Sequence, residues 1–230
     1  MLTGKVVLIT GANGGLGVAV TQAFLGAGAA VVGTSRSIKT SDFAHPNFSA
    51  EAAEITNGDL ARDLVARVVA KHSRIDTLVH LVGAFLGGTD VAVTEDAALA
   101  KMLEVNLYSF FHLVRAVLPV MQKQSSGTVL AIGSRTAVEP VPGLGAYSAS
   151  KAALVSLVRT IALENKQFGI SANVILPGTM DTPANRSAMP NADIAKFVQP
   201  GQVASMLVHL AGGNASQVTG AVIPIYGAEL

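Results

Sequence analysis

Tyr147 and Lys151 stand four residues apart in the stretch "GAYSASKAAL". On a helix that interval puts both side chains on one face. A free tyrosine loses its proton only near pH 10, so it is a sluggish acid–base group at neutral pH. A neighbouring ammonium favours the phenolate and lowers that value. The pair therefore reads as a proton donor beside its tuner, although an exposed helix surface would give the same spacing. Ser134 closes the apolar run "TVLAIGS" thirteen residues before the tyrosine. Its hydroxyl could donate to a substrate oxygen and steady developing negative charge.

These residues need a scaffold, and the chain supplies one. Short apolar runs at 5–10, 29–34, 77–82, 128–133, 171–176 and 221–226 are continuous rather than alternating, as in strands buried on both faces. A weaker strand is expected at 52–56. Between the runs lie helical patterns at about 15–26, 60–72, 95–121, 146–167 and 201–212. Strand–helix alternation predicts a parallel sheet with right-handed crossovers. No linker or repeat divides the chain, so residues 1–230 are expected to form one Rossmann-type, doubly wound α/β domain of about seven strands, with helices on both faces. Strand C-termini line the ligand crevice in such sheets, which is where Ser134 falls.

Half of the residues are hydrophobic, 13% are charged and the formal charge is +1. With no basic patch, nucleic acid is not an expected partner. The chain has no cysteine, and its five histidines are scattered, so neither a disulfide nor a metal site is expected. The apolar stretch from Leu16 to Val32 contains Thr21, Gln22 and several glycines; it reads as helix, turn and strand rather than a membrane span. A soluble cytoplasmic protein is expected.

The turn "LITGANGGLG" places Thr10, Gly11, Gly15 and Gly17 between the first strand and first helix. Glycines there admit a pyrophosphate to the free N–H groups of a helix N-terminus. With this turn at its front and Ser134, Tyr147 and Lys151 behind, the sequence resembles the short-chain dehydrogenase/reductase family over nearly its whole length. The resemblance implies Ser–Tyr–Lys catalysis, with the cofactor diphosphate on Gly11, Asn13, Gly14 and Leu16. Asp59 and Leu60 match the family's adenine-flanking pair, though Asp59 also reads as a helix N-cap. Asn106 is the fourth catalytic member, in a local helix irregularity holding a water that links to Lys151, or else a satisfied structural amide. Pro177, Gly178, Thr179 and Thr182 would hold the nicotinamide carboxamide, and Gly83 is a further cofactor-binding position. Tyr147 and Lys151 would themselves touch the cofactor.

Ser35 and Arg36 follow the second strand, where an acidic residue would accept the adenosine ribose. A guanidinium there can grip a 2′-phosphate, which predicts NADP(H), with NAD(H) also possible. A hydride donor and Tyr147 together would reduce a carbonyl and protonate the alkoxide.

Two departures modify this reading. The family's usual N-N-A-G after the fourth strand is "HLVG" at 80–83, with His80 expected as a core or edge histidine. That segment and "LPGTMDTPANRSAMPNAD" resemble dihydropteridine reductases, which places Phe85 near the substrate or in ordinary packing. Those enzymes generally lack the serine and favour NADH. Arg135 and Arg186 are candidates for an anionic substrate, or for structural pairing. The leading expectation is an NADPH-dependent reductase of a ketone or 3-oxoacyl substrate. The alternatives are a quinonoid dihydropteridine-type reductase and an NADP(H)-binding sensor with little turnover. The family also implies a homotetramer or homodimer built on the helices at 95–121 and 146–167 and the last strand.

Overall fold

The computed structural model describes residues 1–215 and 217–228. The first apolar run forms strand β1 (Val6–Thr10), buried throughout. Successive side chains on a strand point to opposite faces. Val6 and Leu8 accordingly enter one core cluster, and Val7 and Ile9 the other. After β1 come α1 (Gly17–Gly26), β2 (Ala30–Thr34), β3 (Phe48–Ala50), α2 (Gly58–His72) and β4 (Thr77–His80). Then follow α3 (Asp96–Leu103), a π-helical turn (Glu104–Tyr108), α4 (Ser109–Gln124), β5 (Gly127–Ile132) and α5 (Gly145–Asn165). The chain continues through β6 (Ile170–Pro177), α6 (Pro183–Ala188), α7 (Pro200–Ala211) and β7 (Val222–Ile225).

The seven strands form one sheet in the order β3-β2-β1-β4-β5-β6-β7, all parallel. The order reverses between β1 and β4, the point where a doubly wound sheet opens a crevice beyond its strand ends. Residues from α2, α4 and α5 cover one face. Residues from α1 and α7 cover the other. The expected α/β architecture is the observed one. No helix of the described residues is long and apolar enough to cross a membrane, and Leu16–Val32 divides into α1 and β2.

One expected element moves. Residues 52–56 form no strand; the third strand lies earlier, at Phe48–Ala50. The apolar ring of Phe48 is 6% exposed and packs at a tilt against Phe43, so the buried aromatic anchors the strand here. Past β3 the chain keeps isolated bonds alongside β2 and the residue after it, from Glu51 N–H to Gly33 O and from Ala53 N–H to Ser35 O. The N-cap of α2 is Asn57, whose side chain accepts from the amides of Asp59 and Leu60. Asp59 is therefore not the cap, because Asn57 already holds the amides a cap would take.

Candidate active site

Ser134 follows β5 in extended backbone and caps a short 3₁₀ turn, accepting from the Thr136 amide. Tyr147 lies in the first turn of α5, partly buried, and Lys151 one turn later with 4% exposure. Lys151 Nζ donates to the Ile132 carbonyl at the end of β5. Helix and strand end thus bring the three residues together. Burial lowers the Lys151 pKa from its ordinary value to about 8.

The phenol differs from expectation. Burial pushes its pKa up, with hydrogen bonding to Ser134 pulling the other way. Lys151 Nζ meanwhile donates to the Ile132 carbonyl. A raised pKa keeps Tyr147 protonated at neutral pH, the form in which it can give a proton.

Asn106 sits in the π-helical turn and is fully buried. Its amide holds the backbone of Ala84 from both sides: Ala84 N–H donates to Oδ1 at 2.8 Å, and Nδ2 donates to Ala84 O at 3.0 Å. Nδ2 also donates to Ser150 Oγ, which in turn donates to the Tyr147 carbonyl. Gly83 lies between Asn106 and Lys151, since a Cβ there would come within 3.1 Å of both Asn106 Oδ1 and Lys151 Nζ. The helix irregularity expected at Asn106 is present, and its amide reaches Tyr147 through Ser150.

At the glycine turn, Gly11 adopts φ +64° and Gly17 packs so tightly that a Cβ would lie 1.9 Å from Gly11 O. Gly14 and Gly15 are exposed. Among the described residues, the N–H groups of Gly15 and Leu16 have no acceptor. Leu16 keeps its side chain in the core, so it offers only backbone. Free amides at a helix start, on an open glycine surface, fit a diphosphate. Asn13 donates to Asp42 on a neighbouring loop. Thr182 caps α6 and touches the turn from above, 3.1 Å from where a Gly15 Cβ would be.

At the other end of the crevice, Ser35 is half-buried and accepts from the Ser37 amide, while Arg36 is exposed. Asp59 and Leu60 lie exposed on the first turn of α2, with the Asp59 carboxylate paired to Arg62. Glu54 lies beyond the end of β3. Its Oε1 accepts from Ile55 N–H, Thr56 N–H and the Thr56 hydroxyl. Burial acts to raise its pKa, but these bonds and the charge of Arg36 bring it down. Glu54 and buried Ile55 form an acidic–apolar pair, a signal present in the sequence and eclipsed there by "GDL".

Pro177 ends β6, and the Gly178 amide bonds to β7 at Ile225. Thr179 accepts from Val198, which closes the 180–198 segment at its base. Phe85 is 67% exposed and meets the Tyr147 ring edge-on at 5.0 Å, so it is not a core residue. Arg135 pairs with Glu139 and stacks over Tyr226. Arg186 holds Asp181 through both carboxylate oxygens. Both arginines thus have structural partners. The described residues contain no cluster of side chains suited to a metal.

The family model of the short chain dehydrogenases matches residues 5–193. The chain belongs to that family. It is accordingly an NAD(P)-dependent oxidoreductase acting on CH–OH and C=O groups. It is 32% identical to the 3-oxoacyl-[acyl-carrier-protein] reductase FabG of Thermotoga maritima, over 98% of each chain. It is 35% identical to the cyclic-di-GMP-binding biofilm dispersal mediator protein of Escherichia coli K12, over 98% of this chain and 97% of that one. Among solved short-chain dehydrogenases, ElxO with NADP bound superposes with a TM-score of 0.91 at 26% identity, covering 97% of both chains.

Proposed function

We propose that the protein is an NADPH-dependent reductase of a ketone or 3-oxoacyl-type carbonyl, working reversibly, with Tyr147 as general acid and base. The observation that carries this reading is the convergence of Ser134, Tyr147 and Lys151 at the open end of β5. Gly11, Asn13, Gly14 and Leu16 would hold the cofactor diphosphate, and Ser35 and Arg36 the 2′-phosphate. Gly83, Pro177, Gly178, Thr179 and Thr182 would line the nicotinamide end. Glu54 and Ile55 are better placed than Asp59 and Leu60 to flank the adenosine. Bound NADPH supplies a hydride. The Tyr147 phenol protonates the substrate oxygen while Ser134 donates a hydrogen bond to it. Lys151 then stabilises the phenolate left behind.

Phe85 walls the approach to Tyr147. A cavity of about 230 Å³ adjoins it, lined by Leu86, Val93, Ala98, Gly143 and Ala146. Replacing Tyr147 with Phe should lower kcat for ketone and 3-oxoacyl thioester substrates by about 10²- to 10⁴-fold, with NADPH binding retained. Unchanged turnover would refute the assignment. Including a quinonoid dihydropterin in the same substrate panel tests the flat-ring alternative that the exposed Phe85 favours.

The relative named for binding cyclic di-GMP supports a second reading, in which ligand binding matters more than turnover. Cyclic di-GMP binding by calorimetry, with no turnover across the panel, would favour it. The exposed Tyr108, Phe111 and Leu163 on the π-turn, α4 and α5 support a homo-oligomer.

A further inference from the structure

His80 stands where the family pattern has asparagine, at the last residue of β4 and directly across from Thr10 on β1. It is 1% exposed, and its ring packs edge-on to Phe110. Packing alone would not require an imidazole, because phenylalanine or leucine could fill that space. Both ring nitrogens are engaged: Nδ1 lies 3.2 Å from Thr10 Oγ1, and Nε2 lies 3.2 Å from Ser109 Oγ.

Donor counting fixes the direction of these bonds. Thr10 Oγ1 accepts the amides of Leu81 and Val82, so its own proton is left for His80 Nδ1. Burial, reinforced by the nearby Lys151 charge, lowers the His80 pKa to about 3, which keeps the ring neutral. The single ring proton therefore sits on Nε2 and goes to Ser109 Oγ. The Ser109 hydroxyl in turn donates to the Val105 carbonyl at 2.6 Å.

That last bond lies inside the π-helical turn. The Ser109 amide reaches back five residues to Glu104 rather than four to Val105. The Val105 carbonyl loses the amide that α-helical spacing would supply, and a buried carbonyl needs a partner. The Ser109 hydroxyl takes the missing place.

We propose that His80 is a positioning residue: its Nε2–H imidazole ties the glycine turn to the π-helical turn and so holds Asn106, and with it Ala84 and Gly83, around Lys151. The chain runs from Thr10 through His80 and Ser109 to Val105, next to Asn106. A single side chain thereby registers the cofactor-side loop against the catalytic one. Its effect on turnover rests on the reductase reading; its effect on structure does not.

Two measurements test it. With ¹⁵N-histidine labelling, the resonance lost in His80→Asn should report an Nε2-protonated tautomer at neutral pH in the wild-type protein; an Nδ1-protonated or averaging ring overturns the proposal. For kinetics, His80→Phe and Ser109→Ala should each lower kcat per folded molecule about ten- to hundredfold, with the NADPH dissociation constant within about twofold. The double variant should be no worse than either single one. His80→Gln, which keeps a donor on the Ser109 side, should recover most of the loss.

Additive losses in the double variant, or wild-type kcat in folded His80→Phe, would also overturn it. If His80→Phe does not fold, Ser109→Ala and the tautomer decide. If the wild-type protein reduces no carbonyl, the reductase reading fails, while the tautomer still tests the relay.

Discussion

Lys151 illustrates how a single residue's state is set by its surroundings. Its ammonium is buried with one carbonyl for company, and its pKa falls to about 8. Below pH 8 both folded and unfolded chains are charged, and the fold bears the cost of burying that charge. Between about 8 and 10.5 the folded chain releases its proton first, so the unfolded state binds more protons and stability rises with pH. Urea midpoints should therefore climb in the wild type relative to Lys151→Met across that window. Arg36 has the opposite setting, in open solvent at the mouth of the crevice. Arg36→Ala should raise the NADPH KM about tenfold or more while leaving the NADH KM within about twofold; equal effects would remove the phosphate-gripping role. Ser134, Tyr147 and Lys151 were legible because a motif names them by interval. Phe85 was nominated by resemblance with packing as the alternative, and its contact with the Tyr147 ring is a tertiary fact; Glu54 was passed over because "GDL" carried the better-known pattern.

At the scale of elements, the runs of buried apolar residues located six strands to within two residues, since a two-sided core leaves little freedom in where a strand can lie. The third strand was misplaced because it is three residues long and anchored by Phe48, too short for any periodicity to show. The π-helical turn was suggested only by resemblance; its physical support comes from Ser109 and His80, which are far from each other in sequence. The junction of β1 and α1 tolerates little change at Gly17. Gly17→Ala would drive a Cβ into the Gly11 carbonyl and the Ala12 backbone, neither of which can swing aside. It should destabilise by about 1–3 kcal/mol and weaken NADPH binding. Gly26→Ala, at the far end of α1 with nothing within 4 Å, should instead stabilise by about 0.5–1 kcal/mol. Chemical denaturation of the two variants checks both signs.

Over the whole molecule, the two ends of the sheet have different work. The strands' C-terminal ends carry the candidate site, and their N-terminal ends are pinned by Asp76, just before β4. Its carboxylate is 5% exposed and accepts from Arg74, Lys5 and the Val6 amide. Burial acts to raise its pKa, and these partners overcome that and lower it. A depressed carboxylate stabilises the fold above its unfolded pKa, and that stability is lost as pH falls through the folded value. Asp76→Ala should cost roughly 2–4 kcal/mol at pH 7, less than a wholly buried pair because Lys5 and Arg74 stay half in water. The deficit should shrink toward pH 3, as read from urea unfolding at each pH.

The contact between Gly15 and Thr182 joins two segments that are far apart along the chain. The threonine caps α6, and the glycine belongs to the turn proposed to receive the diphosphate. A Cβ added at Gly15 would press on Thr182, so Gly15→Ala should disturb the start of α6 as well as the glycine turn itself.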